Sequence, residues 1–140
     1  MNHHELKEKF VKIIADHRTG VLSTVENNKP HSRYMTFYYD NSTLYTPTKK
    51  ATEKIEEIEN NSFVSVLLGY EKKGQSDSYI EISGTSSIND TQDIKNQFWE
   101  DSFNQWFDGP EDPNFVFIQI KPETVRILNL NGEPPQEFTL

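Results

Sequence analysis

Arg33, Thr48, Thr52 and Lys54 are the side chains of this sequence best suited to holding an anion. Arg33 opens the run Arg33-Tyr34-Met35-Thr36-Phe37-Tyr38-Tyr39, which turns at Asp40-Asn41-Ser42 and continues as Leu44-Tyr45-Thr46-Pro47-Thr48. Lys49-Lys50-Ala51-Thr52-Glu53-Lys54 follows and leads into Ile55-Glu56-Glu57-Ile58. Two strands thus give way to a helix start where hydroxyls and cations concentrate. A phosphate is recognised by that combination: free backbone N–H groups at a helix start, short hydroxyl donors and fixed positive charge. The rest of the chain is acidic, so Arg33, Lys49, Lys50 and Lys54 stand out together. The set points to the site of a phosphate-bearing cofactor.

Each residue alone has a plainer reading. An arginine on a strand is as often solvated or paired with a surface carboxylate. Lys49-Lys50 reads as a solvated turn, above all Lys50; Thr52 reads as a helix cap and Lys54 as a surface lysine. Other chemistry has less support. His4, His17 and His31 lack the H-x-x-x-H or H-E-x-x-H spacing of a metal site, so no metal is expected. Asp108, Glu111 and Asp112 lack the ligand alternation of a calcium loop. There is no Gly-x-Ser-x-Gly elbow and no Walker loop, and no general base or nucleophile is identified.

The bulk properties narrow the field. A chain of 140 residues is read as one domain spanning 1–140, with enough length for a real core. A formal charge of −8 argues against nucleic acid and against an anionic membrane surface. No apolar run reaches membrane-spanning length, there is no signal-like segment, and cysteine is absent; a cytoplasmic protein is expected. The mean hydropathy of −0.76 is low, yet aromatics make up 12% of residues. Few aliphatics with many large rings suit a small barrel that shares its rings with a ligand or partner.

The elements that must position the site follow from periodicity. Leu6, Phe10, Ile13 and Ile14 form one face of a helix over residues 3–16, with Gly20 as its expected end. Strand-like runs follow at Val21–Val25, Ser32–Tyr39, Thr43–Thr46, Phe63–Leu68, Tyr79–Ile88, Phe115–Ile120 and Val125–Leu128. Asn27-Asn28-Lys29-Pro30 and Asp40-Asn41-Ser42 are hairpin connections, which predicts an antiparallel meander for the first three strands. Gly84 within a strand predicts a bulge or a close backbone approach. A second helix starts near Thr52, with Ile55 and Ile58 inward and Glu56-Glu57 outward. A third follows Asn89-Asp90-Thr91 and carries Ile94, Phe98 and Trp99 at core spacing. The loop Trp106-Phe107-Asp108-Gly109-Pro110-Glu111-Asp112-Pro113 presents two aromatics, each readable as core, interface or ligand contact. The expected fold is mainly β (α+β), an antiparallel barrel of six to seven strands with flanking helices.

Three segments together resemble a known family. They are Pro30-His31-Ser32-Arg33-Tyr34-Met35-Thr36-Phe37, then Thr48-x-x-x-Thr52-x-Lys54-x-x-x-Ile58, and Gly84 after Tyr79-Ile80-Glu81-Ile82-Ser83. They are similar to the pyridoxamine 5'-phosphate oxidase-like, FMN-binding split-barrel family. Phe98-Trp99, the Trp106–Pro113 loop and the spacing on to Phe115–Ile120 with Lys121-Pro122 resemble its bacterial general stress protein branch. The resemblance makes the barrel an antiparallel split β-barrel and implies a homodimer with FMN in grooves at the seam. It puts Arg33 near the phosphate and Tyr34-Met35-Thr36 along the isoalloxazine ring. It gives Thr48, Thr52 and Lys54 phosphate or ribityl oxygens, and turns Trp106 toward the cofactor or the partner chain. It implies a flavin-dependent oxidoreductase acting on a small molecule, or a non-catalytic flavin-binding or stress-interaction protein. The oxidases carry lysine where this chain has Tyr38, and often Ser-Arg-Lys where it has Thr52-Glu53-Lys54. The C-terminus lacks their arginine-rich motif, so vitamin B6 oxidation itself is not expected.

Overall fold

The computed structural model describes residues 1–72 and 77–140. Helix α1 (His3–Asp16) is capped by the Asn2 side chain, which accepts from the Glu5 N–H at 2.9 Å, and it buries Leu6, Phe10, Ile13 and Ile14 as expected. It ends at His17, not at Gly20. Gly20 lies inside β1 (Thr19–Glu26), where a Cβ would sit 2.6 Å from the Leu67 carbonyl oxygen; close strand packing, not a helix cap, is what this glycine serves.

Strand β1 turns through Asn27 and Asn28, both at positive φ, into β2 (Lys29–Thr36). Two consecutive left-handed residues are the geometry of a two-residue hairpin, and asparagine tolerates it. The single strand expected over Ser32–Tyr39 breaks at Phe37, which is buried and donates its N–H to the Arg18 carbonyl at 2.6 Å. Beyond it, β3 (Tyr38–Asp40) turns through Asn41 and Ser42 into β4 (Thr43–Lys49). The expected meander is therefore split: β2 pairs with β1, whereas β3 pairs with β4.

After α2 (Glu53–Asn60) come β5 (Phe63–Leu68), β6 (Tyr79–Asn89), α3 (Gln92–Phe98), a 3-10 turn over Asp101–Gln105, β7 (Phe115–Leu128) and β8 (Gln136–Thr139). The eight strands make one antiparallel sheet in the order β2-β1-β5-β6-β7-β4-β3, with β8 on β7. Its two ends, β2 and β3, are neighbours in sequence through Phe37, so the sheet curls into a half-barrel. The runs Phe115–Ile120 and Val125–Leu128 are one strand. Its far edge is shared between β4, along Phe115–Ile120, and β8, along Thr124–Ile127. Strand β8 has only Phe138 to signal it, too little for periodicity to detect. Gly84 is a close approach as expected: the β6–β7 register shifts beside it, and a Cβ would lie 2.3 Å from the Lys121 carbonyl oxygen.

The core has two parts. Leu22, Val66, Ile80, Ile82, Ile118, Ile120 and Ile127 fill the inside of the sheet with α1 and α2. Tyr38, Phe103, Phe107, Phe115 and Phe117 form a second, aromatic cluster with Phe98 and Trp99. The ring-rich composition is thus largely spent on ring–ring packing inside the chain, and Phe107 is buried, the core alternative of its reading. Among the described residues no helix is long and apolar enough to cross a membrane.

Thr46, on the inner face of β4, is fully buried and its hydroxyl has no hydrogen-bond partner among the described residues. An orphaned buried hydroxyl costs about 1–3 kcal/mol. Thr46→Val keeps the shape and removes the orphan, so stability is expected to rise by about 1 kcal/mol. A urea titration showing a lower midpoint for Thr46→Val would refute this.

Candidate functional site

A cavity of about 400 Å³ opens between β2, the end of β4 and the aromatic segment after α3. Its walls are Thr19, Tyr34, Met35, Thr36, Pro47, Thr48, Lys49, Phe103, Trp106 and Phe107. Among the described residues strand β2 ends the sheet and pairs only with β1, so the outer backbone edge of Tyr34-Met35-Thr36 keeps donors and acceptors for a ligand. The Tyr34 ring is 79% exposed and Trp106 is 57% exposed. Large rings this open, beside a mostly apolar cleft, suit a flat aromatic ligand. Five of the residues expected from sequence meet here: Tyr34, Met35, Thr36, Thr48 and Trp106. Lys49, weighed as a solvated turn, is the cavity's cation.

Arg33, Thr52 and Lys54 do not line this cavity. They stand next to it along the chain, one residue before Tyr34 and a few after Lys49. Arg33 is neither solvated nor on a surface carboxylate. Its Nη2 donates to Glu57 Oε2 at 3.2 Å, and its Nη1 donates to Thr24 Oγ1 at 2.8 Å and to the Leu22 carbonyl at 3.3 Å. Lys54 lies one helical turn before Glu57 and has no hydrogen bond or ion pair among the described residues. Burial, and then the Arg33 charge, push its ammonium below the usual 10.5. The Arg33 charge is felt at Lys54, and of the two cations only Arg33 has a carboxylate partner among the described residues, an arrangement that an anion would relieve. Thr52 is the N-cap of α2, but its hydroxyl donates to the Lys49 carbonyl at 3.2 Å and caps no helix N–H.

Glu57 was expected to face outward and is instead 1% exposed. The face defined by Ile55 and Ile58 reaches only partway round α2. The curl of the β1–β2 hairpin brings Thr24, His31 and Arg33 over its flank. Glu57 accepts from Thr24 Oγ1 and, at 2.8 Å, from His31 Nδ1, in addition to Arg33. Burial alone would raise its pKa, but these donors outweigh it and hold the carboxyl below its ordinary 4.5.

Glu26, His31 and Glu57 place ligand-type atoms within 4.8 Å of one another, a grouping that linear spacing could not reveal. Both Glu57 oxygens are already taken and the Arg33 charge sits on the same carboxylate, so the group is an ion-pair network. Tyr38, at the position where the oxidases carry lysine, is buried under the Arg18 guanidinium at 5.1 Å. Its phenol is pushed up to about 12, by burial first and then by Glu100.

The Glu57 network sets a pH dependence. Its folded pKa lies below its unfolded value, so on acidification the unfolded chain takes up the proton first. Its contribution is whole above pH 4.5 and is lost as pH falls through the folded pKa. In acid unfolding, Glu57→Gln is expected to be less stable at neutral pH and to lose less of its stability below pH 4.5. Parallel curves for the two proteins would contradict this.

The comparison with known proteins follows the same lines. Residues 6–129 match the family model of pyridoxamine 5'-phosphate oxidase. The chain is 44% identical to General stress protein 26 of Bacillus subtilis over 140 residues, the whole of both sequences. The crystal structure of General Stress Protein 26 from Bacillus anthracis is 43% identical and superposes with a TM-score of 0.85, over 97% of this chain and 99% of that one. A pyridoxamine 5'-phosphate oxidase-related, FMN binding protein from Nostoc punctiforme shares the fold at 20% identity, with a TM-score of 0.65 over 96% and 84% of the two chains. With its half-barrel sheet, its family match and its full-length relative, the chain belongs to the pyridoxamine 5'-phosphate oxidase-like split-barrel family.

Proposed function

We propose that this chain binds FMN as a homodimer and serves as a flavin-dependent oxidoreductase for a small molecule. One observation carries the reading. The same two segments hold, in sequence order, the cation pair and the walls of the cavity: Arg33 then Tyr34-Met35-Thr36 on β2, and Thr48-Lys49 then Lys54 around the start of α2. An extended ligand with an anionic end and a flat aromatic end fits that layout, and the FMN-binding neighbour supports it.

When bound, the isoalloxazine ring supplies the electron transfer. The chain's own part is placement. The open edge of β2 offers backbone hydrogen bonds to the ring's polar rim. Thr48 and Lys49 line the same cavity and would serve the ribityl chain. Trp106 and Phe107 shield one side from water. The cavity walls carry no histidine, aspartate or glutamate, so Tyr34 and Lys49 are the wall residues able to handle a proton. That lining also keeps the alternative in play: a flavin-binding protein of the stress response that does not turn over. The likeness to General stress protein 26 supports the stress-response part of either reading.

The spectrum of the pure protein with added FMN and a nicotinamide reductant separates them. Flavin bands that shift on binding and bleach on reduction support the oxidoreductase; bound bands that stay oxidised support the binding role. A spectrum identical to free FMN would sink both.

The dimer draws on the outer face of β1, β2 and β5. Val21 stands opposite both Tyr34 and Leu67, and Phe63 is 63% exposed farther along β5, a row of apolar side chains that a second copy would cover. Sedimentation at micromolar concentration is expected to give a dimer. A clean monomer would remove the dimer from the proposal.

A further inference from the structure

We infer that Glu57 is a positioning residue for phosphate recognition: it joins α2 to the β1–β2 hairpin so that Arg33 and Lys54 converge on one anion. The inference rests on the flavin-phosphate reading above and assigns to it a residue that touches no ligand.

Arg33 and Lys54 belong to different elements, β2 and α2, and an anion held by both needs a fixed separation between them. Glu57 is where the two elements meet. From the helix side it is buried, one turn beyond Lys54. From the hairpin side it receives His31 Nδ1, Thr24 Oγ1 and Arg33 Nη2. Thr24 is fully buried and acts twice, giving its proton to Glu57 and accepting from Arg33 Nη1. The guanidinium is thus tied down at Nη1 and on Nη2, while its Nε–H has no partner among the described residues.

An arginine side chain has many rotamers to lose on binding. A guanidinium already locked by a buried carboxylate loses few of them when an anion arrives. The charge balance is also suited to the task. Glu57 offsets Arg33, which lets the guanidinium sit half-buried, while the Lys54 charge stays uncompensated and available. With a neutral side chain at 57, Arg33 and Lys54 would repel each other without restraint, and Arg33 would swing toward solvent.

A purely structural Glu57 and a positioning Glu57 differ in one respect. The positioning role concerns only the phosphate, so FMN and riboflavin must respond differently. The test is flavin-fluorescence titration of the full chain with FMN and with riboflavin, for wild type, Glu57→Gln and Thr24→Val. Glu57→Gln is expected to weaken FMN about tenfold or more and to leave riboflavin within about twofold. Thr24→Val keeps the buried volume and loosens the same brace, so a smaller loss confined to FMN is expected; it carries the test if Glu57→Gln fails to fold. Equal weakening of both flavins in the variants, or none in either, overturns the positioning role while leaving the phosphate site intact. A wild type that binds riboflavin as tightly as FMN overturns the phosphate reading, and the role of Glu57 with it.

Discussion

Replacing Lys54 with alanine is expected to weaken FMN about tenfold to a hundredfold while the half-barrel stays folded. A charge-assisted hydrogen bond to a phosphate contributes roughly 1.5–3 kcal/mol, which sets that range. Lys54 is a clean probe because it holds no ion pair or hydrogen bond among the described residues, so its removal strands no partner. Arg33→Ala is not clean: it would leave the buried Glu57 carboxylate short of a donor, and breaking a buried pair from one side costs about 3–5 kcal/mol of stability. Riboflavin, lacking the phosphate, should bind wild type poorly and be nearly indifferent to Lys54→Ala. Lys50→Ala should matter far less than Lys54→Ala. The Lys54 ammonium is already pushed below its usual value by burial and Arg33, and a bound phosphate would push it back up. Binding therefore takes up protons at alkaline pH, and FMN affinity should fall as pH rises through the titration of free Lys54. Fluorescence titrations with both flavins decide the matter. Equal loss of FMN and riboflavin would make Lys54 a residue of the fold, and no loss of either would make it a surface lysine.

Gly84→Ala is expected to cost about 3 kcal/mol or more, and Gly84→Val to prevent folding. The atoms a Cβ would meet are the Lys121 carbonyl oxygen at 2.3 Å, the Lys121 carbonyl carbon at 3.0 Å and Pro122 Cα at 3.2 Å. All are backbone, so no side chain can rotate away. The only relief is to part β6 from β7, the strand that also carries β4 and β8. A breach there undoes the sheet from its middle outward. Chemical denaturation of Gly84→Ala reports the loss. An unchanged midpoint would mean that β7 can shift at Lys121-Pro122 without penalty, and the bulge would be slack in the fold rather than a fitted contact.

The two substitutions probe different layers of the same design. Gly84 lets β6 and β7 approach closely in the middle of the sheet, whose ends, β2 and β3, meet at Phe37. That places the open edge of β2 beside the end of β4 and the Trp106 segment.

The amino-acid sequence determined the local elements and the family. The amphipathic face of α1, the Asn27-Asn28 and Asn41-Ser42 turns and the tight approach at Gly84 are all written in residues close together along the chain, because each depends on local backbone geometry. Tyr34, Met35, Thr36 and Thr48 are legible as candidates, but they lie on β2 and β4, which do not pair and which only the curl of the sheet brings to one cavity. Tertiary structure decided what depends on distant partners. Glu57 looks like an outward glutamate beside Glu56, and only the curl of the β1–β2 hairpin buries it against Thr24, His31 and Arg33. Lys49 reads as a turn lysine until Phe103, Trp106 and Phe107, more than fifty residues away, are seen to line the same cavity. The excess of aromatic rings suggested sharing with a ligand or partner, whereas many of the rings pack on one another inside the chain. Whether a ring stays open at the cavity, as Trp106 does, or packs on another ring, as Phe107 and Phe115 do at 4.7 Å, is fixed by the path of the loop between α3 and β7. Hydrophobicity is a property of each residue, whereas the side it is buried against belongs to the whole sheet.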